Sequence, residues 1–231
     1  MKECIILAGG LGTRLQSVVS DVPKCMAEVA GQPFLNYLFD YAKNQQFDHL
    51  ILSLGYKSEV VLQWLDSKSY PFKISYVVED SPLRTGGAIK LAFNKVETDK
   101  AFIFNGDTFF DVDTTLLAEF HNEKKAMISL ALKPMTDFDR YGSVDLNQEG
   151  RIIRFNEKQH CAKGLINGGV YIINKNLFQT LSLPEKFSFE KDVMEKRIND
   201  IPFYGCVQDG YFIDIGIPSD FAKANQDFKN L

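Results

Sequence analysis

The chain is predicted to fold as an α/β protein, with a mixed, mostly parallel central sheet covered by helices on both faces. Three observations predict it. Short apolar runs at residues 4–8, 50–54, 74–78 and 101–104 have the length of strands buried on both faces. Segments of helical spacing separate them, which is the pattern of βαβ units. A glycine-rich turn, Gly9-Gly10-Leu11-Gly12, closes the first run.

Taken in order, Cys4-Ile5-Ile6-Leu7-Ala8 is apolar throughout and stops at glycine, so it reads as a buried strand. Residues 34–46 place Phe34, Leu35, Tyr37, Leu38, Phe39, Tyr41 and Ala42 at helical spacing. Leu50-Ile51-Leu52-Ser53-Leu54 is a second strand, and residues 58–65 form a short helix with Ser58 as its N-cap. Ile74-Ser75-Tyr76-Val77-Val78 is a third strand, residues 85–94 a helix, and residues 101–104 a fourth strand. Beyond residue 110 the pattern changes. Residues 127–132, 142–146, 152–155 and 165–173 are strand-like with few helices between them, and helix returns at 188–198 and 219–228. There is no Pro/Ser-rich linker and no repeat. Residues 1–231 are therefore expected to form a single domain, its first half spanning 1–110 and its second 111–231.

Composition narrows the function classes. Of 231 residues, 45% are apolar and 24% charged, which excludes disordered, collagen-like and coiled-coil chains. Lys and Arg number 26 against 30 Asp and Glu, a net charge of −4. That balance lacks the basic footprint of a nucleic-acid or anionic-membrane binder, though it leaves room for a local basic pocket. No run approaches the ~20 apolar residues of a membrane span. The amino-terminal apolar run is too short for a signal peptide, so a cytoplasmic location is expected. Cys4, Cys25, Cys161 and Cys206 show no Cys-x-x-Cys spacing and read as isolated reduced thiols. His49, His121 and His160 are expected on loops or the surface, outside the chemistry.

The segment Leu7-Ala8-Gly9-Gly10-Leu11-Gly12-Thr13-Arg14-Leu15 follows directly on the first strand. Glycines there let backbone N–H groups converge and let a phosphate come close. Arg14 can offer a planar fork to phosphate oxygens, and Pro23-Lys24 brings a second cation on a stiffened loop. The loop is not GxxxxGK[ST]. Nor is it a dinucleotide fingerprint, because Leu15 stands where the third glycine would be needed. A nicotinamide oxidoreductase is disfavoured accordingly.

Gly9-Gly10-Leu11-Gly12-Thr13-Arg14-Leu15 followed by Pro23-Lys24 resembles the signature of the sugar-1-phosphate nucleotidylyltransferases. Later segments resemble that family in its own order: residues 79–87, Asn105-Gly106-Asp107, Tyr141-Gly142, Phe155-Asn156-Glu157-Lys158, Asn167-Gly168-Gly169-Val170-Tyr171 and Phe212-Ile213-Asp214-Ile215-Gly216. The resemblance covers essentially the whole chain. It implies a Rossmann-like nucleotide-diphospho-sugar transferase fold, with residues 1–110 binding the nucleotide and 111–231 the sugar phosphate. It also implies a reaction in which a sugar 1-phosphate attacks the α-phosphorus of a nucleoside triphosphate and pyrophosphate leaves. Two polyanions must then be held in line, and no covalent enzyme intermediate is needed.

On this reading Arg14, Lys24 and Asp107 are the catalytic candidates. Nucleotide contacts would come from Leu7, Ala8, Gly9, Gly10, Gly12, Thr13, Arg14, Glu79, Thr85, Gly86, Asn105 and Gly106. Sugar-phosphate contacts would come from Gly142, Glu157, Lys158, Asn167 and Gly168. Asp107 follows a buried strand and would project from the carboxyl edge of the sheet, where ligands of such sheets bind. With Asp214 it could hold Mg2+, which takes carboxylate, phosphate and water oxygens.

Glu79 stands where uridylyl- and thymidylyltransferases of the family tend to carry Gln. A carboxylate only accepts, which suits the adjacent N1–H and 2-amino donors of guanine and favours GTP over UTP or dTTP, with CTP still open. The compact length, Pro23-Lys24-Cys25-Met26 and residues 85–90 most resemble the D-glycero-α-D-manno-heptose 1-phosphate guanylyltransferases, which make GDP-heptose for bacterial surface polysaccharide. Mannose-1-phosphate guanylyltransferases and other hexose-1-phosphate nucleotidylyltransferases are the alternative. Two departures stand out: Arg84 replaces the glycine of the family's Leu-Gly-Thr, and Cys25 replaces a proline frequent after its lysine.

Asp111-Val112-Asp113 matches the Asp-x-Asp of inverting glycosyltransferases, but it stands at a predicted helix start, where Asp caps amide groups. A non-catalytic sensor on the same fold would be expected to lose Arg14, Lys24 or Asp107, all of which are present. The exposed apolar helices of such a fold are compatible with a homodimer.

Overall fold

The computed structural model describes residues 1–231 apart from Leu11, Gln16, Ser17, Glu157 and Leu231. In chain order the elements are β1 (Glu3–Leu7), a 3-10 turn (Lys24–Met26), the short pair β2 (Glu28–Val29) and β3 (Gln32–Pro33), α1 (Phe34–Asn44), β4 (His49–Leu54), α2 (Ser58–Asp66), β5 (Lys73–Val78) and α3 (Arg84–Ala92). There follow β6 (Lys100–Asn105), β7 (Thr108–Phe110), α4 (Thr114–Glu123), β8 (Ile128–Phe138), β9 (Val144–Leu146), β10 (Ile152–Phe155) and β11 (Cys161–Asn174). The chain ends with α5 (Leu177–Thr180), a π-helical turn (Phe189–Glu195), β12 (Phe203–Val207), β13 (Phe212–Asp214) and α6 (Pro218–Asp227).

Seven strands form the main sheet in the order β12-β8-β11-β6-β1-β4-β5. β1 is parallel to β4 and β6, β4 to β5, and β8 to β12. β11 runs antiparallel to both of its neighbours, so the sheet is mixed and mostly parallel. β1, β4 and β6 are buried on both faces because successive side chains point to opposite sides, whereas β5, expected from its apolar run to be buried likewise, lies at the sheet's edge and leaves Tyr76 and Val78 exposed. Ile6, Leu50, Leu52, Phe102 and Phe104 pack with Leu35, Leu38 and Phe39 of α1. Ile5, Ile51, Ile103 and Ile173 pack with Ile89 and Ala92 of α3 and with Phe187 and Phe189. A strand facing two cores must be apolar along its whole length, which is why these runs show no alternation.

Several details differ from the sequence reading. The strand expected at 142–146 is confined to Val144–Leu146, and β11 is longer than expected. Ser58 does not cap α2: the chain enters that helix through Lys57 in the left-handed region, at φ 52°. The helix expected at 188–198 is a π-helical turn, started by the Ser188 hydroxyl accepting from the Lys191 N–H at 3.3 Å. Its wider coil lays Phe189, Val193 and Met194 together into the core.

Two of the histidines are not on loops or the surface. His49 starts β4 with its ring nitrogens on Glu3 Oε1 and Ser75 Oγ, both at 2.8 Å. His121, in α4, bonds Ser129 Oγ at 2.9 Å and Asn174 Oδ1 at 3.1 Å. Both are buried, and full use of both nitrogens makes them structural. Asp113 does cap α4, accepting from the Thr115 and Leu116 N–H groups at 2.9 and 3.0 Å.

Candidate active site

The parallel strands β1, β4 and β6 end together at one edge, with Leu7 beside both Ser53 and Asn105. The loops leaving those ends build the site. The Ala8 N–H donates to the Ser53 carbonyl at 2.8 Å and the Gly106 N–H to the Leu7 carbonyl at 3.0 Å, which stitches the three loop starts together. Leu15, buried, anchors the far end of the glycine loop, and Gly12 turns it at φ +59°. A cavity of about 190 Å3 lies inside the turn. Its walls bring together Leu7, Ala8, Gly10, Gly12, Thr13, Arg14, Lys24, Gly106 and Asp107.

Asp107 and Asp214 meet because β7 and β13 pair antiparallel, with Asp214 opposite Thr108. The Ile215 N–H donates to the Asp107 carbonyl at 2.9 Å and completes that link. Between the two carboxylates sits the Lys24 ammonium, 2.5 Å from Asp107 Oδ2 and 3.5 Å from Asp214 Oδ1. It reaches them past Gly216, where a Cβ would stand 2.8 Å from Nζ. Burial and the nearby Asp107 charge push the Asp214 carboxyl above the usual carboxylate range, opposed by Lys24, the Gly216 N–H and Arg14.

Two acidic side chains converging on one positive charge at a cavity wall suit a hard divalent cation. Among the described residues no cluster of three or more His, Cys, Asp or Glu side chains could hold a metal unaided. Further oxygen ligands would have to come from substrate and water.

A second, larger cavity of about 550 Å3 adjoins the first and shares Leu7, Gly10 and Asp107 with it. Gly9, Glu79, Thr85 and Asn105 line it, as do Ser53, Tyr56, Asp80 and Glu190, which the sequence reading missed. Glu190 could not have been found by spacing, since it arrives from the π-helical turn far along the chain. Leu83 donates its N–H to Glu79 Oε2 at 2.8 Å. Burial raises the Glu79 carboxyl above its usual value, and that hydrogen bond works against the rise.

Thr85 and Gly86 serve packing more than was expected. The Thr85 hydroxyl donates to Glu190 at 2.6 Å and accepts from the Phe189 N–H at 3.0 Å. The Gly86 and Gly87 N–H groups donate to the Phe187 carbonyl. A Cβ on Gly86 would lie 2.2 Å from the Phe187 ring.

In the second half, Asn167 is turned inward. Its Nδ2 donates to the Tyr171 hydroxyl at 2.9 Å, and its Oδ1 accepts from the Gly169 N–H at 3.0 Å. The β8–β11 pairing shifts register between those positions. Gly168 lets the strand pass over Phe110, whose ring a Cβ would meet at 2.2 Å. Gly142 packs against the Asn156 backbone. Lys158 is exposed after β10, outside these cavities, and Glu157 lies outside the described residues.

A third cavity of about 230 Å3 is lined by Arg140, Tyr141, Phe212, Asp214 and Asp220, so it abuts Asp214. Arg140 pairs with Asp220 at 2.6 Å. Burial and the Asp214 charge push the Tyr141 phenol up to about 12. Cys25, next to Lys24, is buried and pushed up to about 12, chiefly by burial, so its thiol stays protonated.

Residues 3–230 match the family described as Nucleotidyl transferase. The chain is 49% identical, over 99% of both chains, to D-glycero-alpha-D-manno-heptose 1-phosphate guanylyltransferase from Aneurinibacillus thermoaerophilus. It is 45% identical, over 95% of this chain and 96% of the relative, to the enzyme of that name from Campylobacter jejuni. The crystal structure of HddC from Yersinia pseudotuberculosis superposes with a TM-score of 0.91 at 38% identity, covering 99% of this chain and 100% of that one. The same protein complexed with GMP-PN gives 0.89 at 37%, with the same coverage.

Proposed function

Because the chain belongs to the nucleotidyl transferase family, we propose that it transfers the guanylyl group of GTP to D-glycero-α-D-manno-heptose 1-phosphate, giving GDP-heptose and pyrophosphate. The observation that carries this reading is the Asp107–Lys24–Asp214 cluster at the junction of the phosphate cradle and the larger cavity. The near full-length likeness to two heptose 1-phosphate guanylyltransferases supports the choice of sugar and base.

In this reaction an oxygen of the sugar phosphate attacks the α-phosphorus of GTP. The bond from that phosphorus to the bridging α–β oxygen breaks, and pyrophosphate leaves with the electron pair. Chemistry of this kind is almost entirely positioning and charge compensation. Arg14 and the amides around Gly9, Gly10, Gly12 and Thr13 hold the triphosphate, and Arg14 balances charge growing on the leaving group. Lys24 holds the α-phosphate or the incoming phosphate, giving up its place between the two carboxylates.

Asp107 and Asp214 would hold Mg2+, which supplies electrostatic stabilisation of the phosphoryl oxygens. Members of this family generally work with a divalent metal. Glu79 accepts from the guanine N1–H or 2-amino group, and Asn105 and Gly106 complete the nucleotide contacts.

The sugar phosphate enters on the side of Gly142, Asn167 and Gly168. Lys158 would swing in from its exposed loop to clamp its phosphate. The working location assigned to this activity is the cytoplasm; no helix among the described residues is long and apolar enough to cross a membrane.

A panel of GTP, UTP, CTP and dTTP against heptose and mannose 1-phosphates, read as pyrophosphate release with Mg2+ and no further acceptor, tests this. The expected result is fastest release from GTP with heptose 1-phosphate. Release that is faster with mannose 1-phosphate, or with a pyrimidine nucleotide, would overturn the assignment.

A further inference from the structure

The larger cavity presents a problem of charge. Glu79, Asp80, Asp107 and Glu190 all line it, and its proposed guest is a polyanion. Among the described residues of its wall, Arg84 is the one cation. Arg84 opens α3 with φ at +62°, a left-handed conformation that an L side chain adopts at a cost and that glycine adopts freely. The backbone there has a glycine-like geometry while carrying a guanidinium. Strain held at a cavity wall is a pointer to function when the residue has chemistry to offer.

Glu79 leaves that chemistry incomplete. One of its carboxylate oxygens, Oε2, is already engaged by the Leu83 N–H at 2.8 Å, so Oε1 carries most of its capacity for a base donor. One acceptor oxygen distinguishes poorly between guanine and cytosine, since both present an amino donor. What sets guanine apart is the adjacent acceptor pair O6 and N7, for which a guanidinium fork is the matching donor.

Resting on the guanylyl-transfer reading, we propose that Arg84 is a specificity residue that donates to the O6/N7 edge of guanine while Glu79 takes its N1–H or 2-amino group. Glu79 opens the turn that the Leu83 N–H closes, Arg84 follows it directly, and both line the same cavity, so they would grip adjoining edges of one base. The Arg84 charge is also felt at the acidic π-helical turn, where it adds to the Lys196 and Ser188 bonds that hold the Asp192 carboxyl below its ordinary range.

Titration calorimetry with Mg2+ on wild type, Arg84→Gly and Arg84→Gln tests the proposal. The ligands are GTP, 7-deaza-GTP (which lacks the N7 acceptor) and inorganic tripolyphosphate (which lacks the base). Both variants are expected to bind GTP about 10-fold more weakly, 7-deaza-GTP with a smaller loss and tripolyphosphate unchanged. Arg84→Gly should also melt at a higher temperature than wild type, because the strained φ is relieved while Arg84→Gln retains it.

Equal losses for all three ligands would show that Arg84 acts through charge alone and would overturn the proposal. So would unchanged GTP binding in both variants. These titrations involve no turnover, so wild-type protein that binds GTP in this pattern yet releases no pyrophosphate with heptose 1-phosphate would strike the proposed function and leave the Arg84 assignment standing.

Discussion

Lys24 stands between Asp107 and Asp214, the pair proposed to hold the divalent cation. An ammonium there offsets two like charges that would otherwise repel. Asp107→Asn should therefore fold normally yet lower kcat by about 10²–10³-fold, the cost typical of losing one electrostatic stabiliser of a transition state. Steady-state rates at saturating GTP and Mg2+ check this, and near-normal turnover would remove Asp107 from the chemistry.

Glu79 carries a prediction about pH. Its carboxyl is raised above the usual value, and the ionised form, with its full charge and no O–H, is the stronger acceptor for guanine N–H donors. GTP affinity should fall as the pH drops through that raised value, and Glu79→Gln should bind GTP more weakly and without that pH dependence. Calorimetry across a pH series checks both.

At this scale the sequence was most readable where one residue type has one chemical use. Asp107, Lys24, Arg14 and Asp214 do come together around one cavity or its wall. It was least readable for His49 and His121, because whether a histidine is buried depends on strands and loops remote in sequence, here Glu3, Ser75, Ser129 and Asn174.

The elements around the nucleotide cavity are held by a joint between α3 and the π-helical turn. Thr85 and Gly86 look like ligand residues in sequence, yet their hydroxyl and amide are engaged by Glu190, Phe189 and Phe187. No spacing rule links residues 85–87 to 187–190; only the fold brings them side by side. That is why the helix expected at 188–198 also came out otherwise. Its residues are shaped by the need to cover α3 as much as by their own helical periodicity. Strands β1, β4 and β6, by contrast, were legible because two-sided burial demands an unbroken apolar run and little else.

Gly86→Ala should test the joint. A methyl group driven into the Phe187 ring is expected to cost about 1–3 kcal/mol of stability, measured by urea denaturation. A neutral effect would mean that α3 and the turn move apart at little cost.

Across the whole molecule, the proposed site stands at the carboxyl ends of the strands, and a buried polar cluster secures the opposite ends. Glu3, 2% exposed, accepts from the Glu97 and Thr98 N–H groups, the Thr98 hydroxyl and His49. Burial works to raise its carboxyl, but the bonds from Thr98, Glu97 and His49 outweigh that and hold it below the ordinary value. A lowered carboxylate stabilises the fold above the unfolded-state value of about 4.3, and that contribution is lost as the pH falls through the folded value. Glu3→Gln should lower stability near neutrality and weaken its decline under acid. Thermal melts over a pH series would show a parallel decline in both proteins if Glu3 had no such part.

The central claim is that the glycine loop, Lys24, Asp107 and Asp214 gather a nucleotide and a metal at one edge of the sheet. A co-crystal with Mn2+ and a non-hydrolysable GTP analogue, with the metal located by its anomalous scattering, tests it most directly. The account predicts a manganese peak bound by Asp107 and Asp214, phosphates lying along residues 9–14, and Lys24 withdrawn from between the carboxylates. Phosphates bound elsewhere, with Lys24 still bridging the two acids and no metal beside them, would contradict it.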